Sequence, residues 1–263
     1  MAMTLFLHDP LEEGRSFDRV ALRPLAGGKQ AEERIHLLRE KIEAPAGAGL
    51  VRRPRLDDLV ERSLSHFAGT LISGRSGTGK TGLAAQLAER YKKVAWYTLD
   101  ALDADWGVFK SYFAAAVAVA CGGKRRPAKI VCDDHSDSKI AQFLVETFAE
   151  LPAGPTTKLL IVIDDLHHIF DAPWFGDFFQ LLLFSLPSEA HLLLLCRSKP
   201  PSPLWRLRSK QVLNVIDERL LAFTGDEAAD LLSPAGLSET EIQRAWKDSF
   251  GQVSKLAVAP DGR

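Results

Sequence analysis

The chain has 263 residues, which suits one large α/β domain, alone or with a small helical appendage. Apolar residues make up 46% and charged residues 25%, enough for a sizeable core and ordinary for a globular protein. The net charge of -1 excludes a general electrostatic attraction to nucleic acid or to an anionic membrane.

The sequence gives no sign of export or membrane insertion. It begins M-A-M-T-L-F-L-H-D-P, without a basic segment followed by a long apolar one, so no signal peptide is predicted. No apolar run approaches the roughly 18 residues that a membrane span needs. The three cysteines, Cys121, Cys132 and Cys196, are widely spaced and odd in number. They indicate reduced thiols, and we expect a cytoplasmic protein.

Residues 1–50 are interpreted as an N-terminal extension and linker. A charged amphipathic helix is predicted over 30–42, because Ile35, Leu38 and Ile42 fall on one stripe. A stretch of small residues, 44–49, is typical of a linker. The organised domain is therefore expected to begin at residue 51.

From residue 51 to 223 the pattern alternates between helices and short apolar strands. Strands are predicted at 70–73, 94–99, 159–163, 191–196 and 212–216, and helices at 56–67, 81–91, 106–121, 139–151 and 174–186. Apolar strands separated by helices indicate an α/β fold, with a parallel sheet covered by helices on both faces. Only helices are predicted from residue 224 onward, over 226–232 and 239–250. We interpret residues 224–263 as a small C-terminal helical lid.

The strongest motif follows the first predicted strand. Its eight residues are Gly74, Arg75, Ser76, Gly77, Thr78, Gly79, Lys80 and Thr81, which match G-x-x-x-x-G-K-[ST] at every fixed position. Glycines let the backbone turn tightly, so that successive N–H groups point at phosphate oxygens, and the following helix adds its positive N-terminal dipole. Lys80 is expected to reach the β- and γ-phosphates and the Thr81 hydroxyl to bind Mg²⁺. The motif predicts a P-loop that binds ATP.

A pair of carboxylates supports this interpretation. The apolar strand at 159–163 ends in Asp164 and Asp165, as a Walker B strand does. Since the carboxyl ends of parallel strands line the ligand crevice, both should face the nucleotide. Asp164 is expected to hold Mg²⁺, through water, and Asp165 to orient or activate the attacking water. The alternative is that the two residues only open the next turn.

Arg197 is the third candidate of the site. It follows the strand at 191–196, which we expect to lie next to the Walker B strand. An arginine at that position is suited to sensing the γ-phosphate. The alternative, a surface arginine at a strand end, stays equally open from the sequence.

These residues also resemble a family. Residues 51–259 are similar to the ATPase domain of STAND-class signalling ATPases, in particular the maltose-regulator type at the N-terminus of large LuxR-type transcription activators. The resemblance lies in successive segments: Arg53-Pro54-Arg55-Leu56, the P-loop, Val94-Ala95-Trp96-Tyr97-Thr98-Leu99-Asp100, Asp103 with Asp105 and 106–109, Ile163-Asp164-Asp165-Leu166-His167, Leu194-Leu195-Cys196-Arg197-Ser198-Lys199-Pro200-Pro201 and Phe223-Thr224-Gly225-Asp226-Glu227-Ala228. It implies a nucleotide-controlled switch that is active with ATP and resting with ADP.

Two departures from the family are visible. Its Gly-Trp-Pro-like turn reads Gly251-Gln252-Val253-Ser254 here, without the Trp and the Pro. The sequence also shows no winged-helix, superhelical or LuxR DNA-binding part, so no direct DNA-binding module is predicted. The expected partners are ATP or ADP, and a signalling protein or a second copy of the chain.

Three functions remain open at this level. The favoured one is a regulatory domain that binds ATP and hydrolyses it slowly. A ring-forming AAA+-type ATPase and a scaffold that binds ATP without turnover are the alternatives. Turnover by purified protein separates a scaffold from an enzyme, and sizing with and without ATP separates a ring from a monomer.

Overall fold

The computed structural model describes residues 37–47, 51–123, 134–149, 151 and 158–256. Its five strands form one sheet, in the order β2-β3-β4-β1-β5, and all neighbouring strands are parallel. The strands are β1 (Gly69–Ser73), β2 (Lys93–Thr98), β3 (Leu159–Asp164), β4 (Ala190–Cys196) and β5 (Leu213–Ile216). The parallel α/β sheet expected from the alternating pattern is confirmed.

Helices connect the strands and complete the C-terminal part. They are α1 (Pro54–His66), α2 (Lys80–Ala88), α3 (Trp106–Ala120), α4 (Asp137–Phe148), α5 (Phe175–Ser185), α6 (Ser202–Ser209), α7 (Glu218–Leu221), α8 (Gly225–Leu232), α9 (Glu239–Ser249) and α10 (Val253–Leu256). Short 3-10 helices are Arg39–Ile42, Ala101–Ala104, Leu166–Ile169 and Ser233–Ala235. None of the helices in the described ranges is both long and apolar enough to cross a membrane.

The sheet has a hydrophobic core on each face. In β3, Leu159, Ile161 and Ile163 contribute to the core beneath α3, α4 and α5. Leu160 and Val162 point to the opposite face, where they pack with residues of α1 and α2. Successive strand residues alternate between the faces, so a strand covered on both sides is apolar throughout. This burial explains why β3 has no alternating polar pattern.

The two helices predicted beyond residue 224 are present as α8 and α9, and the unpredicted α10 follows them. Together with Phe223, they form an apolar cluster that includes Ala228 and Ile242. Thr224 and Glu227 form a capping box at the start of α8, and Ser238 does the same with Glu241 at the start of α9. Such caps satisfy N–H groups that a helix start leaves unpaired. Local sequence therefore sets where this helical part begins.

Three helices of the described ranges were not predicted: α6, α7 and the single turn α10. Ser202–Ser209 follows Pro200 and Pro201, and Glu218–Leu221 is a single turn, so neither is long enough to give a clear helical period. In the N-terminal segment only residues 37–47 are described, and the 3-10 helix Arg39–Ile42 packs against β2 and α3. Residues 37–38 were predicted to be helical, but Leu38 is extended, with φ -72° and ψ 125°. Residues 30–36 of the predicted helix, and most of the extension, lie outside the described residues.

A buried arginine ties α1 to the segment that follows β5. Arg53 Nη2 donates to the carbonyl oxygens of Leu221 at 2.9 Å and Ala222 at 3.0 Å, and to Glu227 Oε2 at 2.9 Å. Its guanidinium carbon lies 4.0 Å from the centroid of the Phe223 ring. Burial alone would raise the pKa of Glu227, but hydrogen bonds from Arg53, the Thr224 amide and Arg55 outweigh it and lower the pKa. One side chain thus joins the sheet domain to the helical part.

Replacing this arginine should destabilise the protein. We expect Arg53→Met to lower the free energy of unfolding by about 1–3 kcal/mol, because the buried oxygens that accept hydrogen bonds from Arg53 would lose their donor. Leaving a buried charge without any partner costs roughly 3–5 kcal/mol. The loss here should be smaller, because Arg55 still contacts the Glu227 carboxylate at 3.3 Å. Urea unfolding followed by tryptophan fluorescence measures the change. Arg55→Met is the control, since that side chain is 42% exposed and should cost less than about 1 kcal/mol. Equal losses would contradict the role given to Arg53.

Candidate nucleotide-binding site

The P-loop connects β1 to α2 in a conformation that requires glycine. Gly77 and Gly79 have φ values of 76° and 85°, in the left-handed region that L side chains rarely adopt. Gly79 is also the N-cap of α2, and no side chain caps this helix start. The first N–H groups of α2 are therefore open to an anion, which the positive end of the helix dipole favours.

Lys80 lies inside the loop. Its Nζ donates to the carbonyl oxygen of Gly74 at 2.6 Å and to that of Arg75 at 2.8 Å. The side chain is buried, and this burial lowers the pKa of Lys80, while the nearby carboxylate of Asp164 opposes the shift. The ammonium group is thus held at the centre of the loop by backbone oxygens.

Thr81 and Asp164 meet although they are 83 residues apart. Thr81 Oγ1 donates to Asp164 Oδ2 at 2.8 Å, and the Asp165 amide donates to Asp164 Oδ1 at 2.7 Å. Burial raises the pKa of Asp164, and the Thr81 hydrogen bond acts against that rise. A hydroxyl and a carboxylate side by side are oxygen ligands of the kind that Mg²⁺ takes in proteins. These two residues therefore fit the predicted metal site.

Asp165 and Arg197 form an ion pair through two parallel hydrogen bonds. Arg197 Nε donates to Asp165 Oδ1, and Nη2 donates to Oδ2, both at 2.8 Å. The hydrogen bond to Asp165 raises the pKa of Arg197. Asp165 has φ 55°, a left-handed conformation that residues other than glycine rarely adopt. His167 Nδ1 lies 3.8 Å from Asp165 Oδ1, and burial lowers the pKa of His167.

The other side of the P-loop contacts α7. The Arg75 amide donates to Glu218 Oε2 at 3.0 Å, and Arg75 Nε donates to Glu218 Oε1 at 2.8 Å. These bonds lower the pKa of Glu218. A cavity of about 520 Å³ opens here between the P-loop and the helical part; its lining includes Arg75, Thr78, Glu218, Phe250, Gly251 and Gln252.

The cavity wall depends on Gly251. This glycine has φ 72°, and a Cβ atom there would lie 2.7 Å from the Phe223 carbonyl oxygen. Its own carbonyl oxygen accepts a hydrogen bond from the Phe223 amide at 2.8 Å. The turn at Gly251 therefore packs directly on the backbone that joins β5 to α8, without the Trp and Pro of the related family.

The predicted site residues converge. Lys80 and Thr81 follow β1, Asp164 and Asp165 end β3, and Arg197 follows β4, which pairs with both of those strands. Their roles toward a nucleotide stay predictions. Sequence reasoning missed Glu218, whose signal was an acidic residue just beyond a predicted strand, at the edge where strand ends line the crevice. Arg53 belonged to a segment that resembles the family, but the sequence did not predict its contacts with Leu221, Ala222 and Glu227.

No protein-family model matches the chain. The HTH-type transcriptional regulator MalT of Cronobacter sakazakii is 32% identical over 187 residues, which cover 68% of this chain and 20% of that protein. MalT of Serratia proteamaculans is 30% identical over 181 residues, 69% of this chain and 20% of the relative. The chain spans about one fifth of the length of these curated relatives.

Two solved structures share the fold. A STAND protein with a tetratricopeptide repeat sensor from Pyrococcus horikoshii aligns over 81% of this chain and 30% of that one, with a TM-score of 0.54 and 18% identity. A Walker-type ATPase of Pyrococcus abyssi aligns over 80% of this chain and 66% of that one, with a TM-score of 0.50 and 12% identity. At these identities the likeness shows the P-loop ATPase fold alone.

Proposed function

Because this chain carries a STAND-like P-loop ATPase domain similar to the N-terminal region of the MalT regulators, we propose that it binds ATP with Mg²⁺ and hydrolyses it slowly as a regulatory switch. The observation that carries the proposal is the convergence of Lys80, the Thr81–Asp164 pair and the Asp165–Arg197 pair at one edge of the sheet. Transcription regulation is a property of the relatives, and its transfer to this chain is part of the proposal.

Binding begins with an exchange of partners at Lys80. Its Nζ now contacts two loop carbonyls, and a phosphate oxygen offers the same ammonium a charged acceptor. Charge-assisted hydrogen bonds are roughly twice as strong as neutral ones, so the exchange favours the bound nucleotide. Bound Mg²⁺ would neutralise charge on the phosphate oxygens beside Thr81 and Asp164.

Hydrolysis requires Asp165 to be free to act on water. Its two oxygens now accept hydrogen bonds from Arg197, so the carboxylate is occupied. A γ-phosphate competes for the same guanidinium, whose side chain is 48% exposed and has room to turn. In the proposed mechanism Arg197 moves to the γ-phosphate and releases Asp165 to orient the attacking water. ADP lacks that phosphate and leaves the pair intact.

The occupied carboxylate also favours a second candidate, a scaffold that binds ATP without turnover. If Arg197 stays hydrogen-bonded to Asp165 when ATP is bound, neither side chain is available to position water. A turnover assay on purified protein, with phosphate release as the readout, separates the two functions. For either function, we propose that the chain interacts with a signalling protein or with a second copy of itself.

Removal of the P-loop ammonium tests binding. We expect Lys80→Ala to weaken affinity for a fluorescent ATP analogue about 10- to 100-fold, the effect of losing one charge-assisted contact. Lys139→Ala removes an equal charge from an exposed position on α4 and should leave the affinity unchanged. Thermal melts confirm that both variants fold. Equal affinity of Lys80→Ala and the wild-type protein would refute the assignment of the P-loop.

Replacement of the proposed water-orienting group separates binding from turnover. Asp165→Asn should bind ATP normally but hydrolyse it about 100-fold more slowly or worse, because an amide cannot accept the proton. Asp177→Asn, at an exposed position on α5, is the matched control. Single-turnover phosphate release measures the rate. A wild-type rate in Asp165→Asn would remove Asp165 from the mechanism.

Hydrogen exchange tests the switch. A ligand shifts a conformational equilibrium only through its different affinity for the two states, and the γ-phosphate is what distinguishes ATP from ADP. Exchange over residues 224–256 should slow with a non-hydrolysable ATP analogue and slow less with ADP. Arg197→Ala should erase that difference, whereas Arg206→Ala, on the exposed side of α6, should keep it. Equal protection by both nucleotides in the wild-type protein would favour the scaffold.

A further inference from the structure

A second cavity lies at the end of the sheet opposite to the P-loop. It has a volume of about 820 Å³ and opens where the strands begin, at the opposite edge of the sheet. Its lining includes Arg62, Arg90, Tyr91, Lys92, Lys158 and His191. We name this space the basal cavity. Pockets for small organic ligands have volumes of about 300–1,000 Å³, so its size suits one.

The basal cavity carries positive charge that the described residues do not neutralise. Arg90 is paired, with Glu61 and with Asp57. Arg62, Lys92 and Lys158 have no ion pair with any residue of the described ranges, and residues 152–157, just before Lys158, contain no acidic residue. Three cations therefore face one cavity without carboxylate partners.

Two of these cations stand at the start of neighbouring strands. Lys92 and Lys158 come directly before Lys93 and Leu159, the first residues paired in the parallel β2–β3 ladder. Both side chains are exposed and line the same cavity. An anion bound in this cavity can contact both ammonium groups through charge-assisted hydrogen bonds.

Aromatic and apolar groups form the remaining wall. The half-buried Tyr91 and His191 rings meet edge to face, with centroids 6.4 Å apart, and buried Leu64 also lines the space. Burial raises the pKa of Tyr91, so its phenol stays protonated and able to donate a hydrogen bond. Burial and the neighbouring Lys158 lower the pKa of His191, which keeps that ring uncharged and receptive to an apolar contact. A ligand with a planar ring would have a surface to pack on.

We propose that the basal cavity is a second ligand site, which takes a small organic phosphate with a planar aromatic ring. The phosphate lies between Lys92 and Lys158, with Arg62 at the rim, and the ring packs against Tyr91 and His191. Strands of five or six residues span about 17–20 Å, so a nucleotide on the P-loop does not extend to this site. The site is therefore separate from the proposed ATP site and independent of it.

The test uses 1-naphthyl phosphate as the probe and fluorescence anisotropy as the readout. Wild-type protein should bind the probe, and the double variant K92A/K158A should bind it at least about 10-fold more weakly, because two charge-assisted contacts are lost. K139A/K247A removes the same charge from exposed positions on α4 and α9 and should bind as the wild type does. Thermal melts establish that each variant is folded.

Lys80→Ala distinguishes the two sites. If the probe binds the basal cavity, its affinity is unchanged in this variant. Loss of binding in Lys80→Ala with retention in K92A/K158A would assign the probe to the P-loop and overturn the proposal. No binding to the wild-type protein, or equal affinity in the two double variants, would overturn it as well. None of these outcomes depends on whether the chain hydrolyses ATP.

Discussion

Parallel pairing of β3, β4 and β1 is the constraint on which the candidate site depends. Ile163 of β3 and Leu71 of β1 are both paired with Leu194 of β4, so the three strands end at nearly the same level. Residues that follow these strands must then meet at one edge. A slip of one residue in β3 would reverse the direction of every side chain in the strand and move Asp164 away from Thr81.

The charged groups of the site are satisfied by one another and by the backbone. Burial opposes the charge on both Lys80 and Asp164. Lys80 donates hydrogen bonds to loop carbonyl oxygens, and Asp164 accepts them from Thr81 and the Asp165 amide, which offsets part of this cost. Arg197 and Asp165 neutralise each other at the more exposed end. A ligand therefore gains affinity at these groups only by offering better partners than the protein already supplies.

Short helix α7 connects the phosphate loop with the helical part. Glu218, at the start of α7, accepts hydrogen bonds from Arg75 of the P-loop. The Leu221 carbonyl oxygen, at the end of α7, accepts a hydrogen bond from Arg53. Arg53 also contacts Glu227, the capping residue of α8. Packed charge contacts of this kind form a continuous physical route between two segments.

The sequence by itself determined the strands, the long helices and the P-loop, because each depends on local patterns: apolar runs, helical periods and fixed glycine positions. It also indicated Asp164, Asp165 and Arg197 through their positions after apolar strands. Only the tertiary structure decided which residues touch. Residues distant in the chain meet where Arg197 pairs with Asp165 and where Arg53 contacts Leu221 and Glu227. Lys92 and Lys158 likewise line one cavity. Strand order and register set such contacts, and no local pattern encodes them.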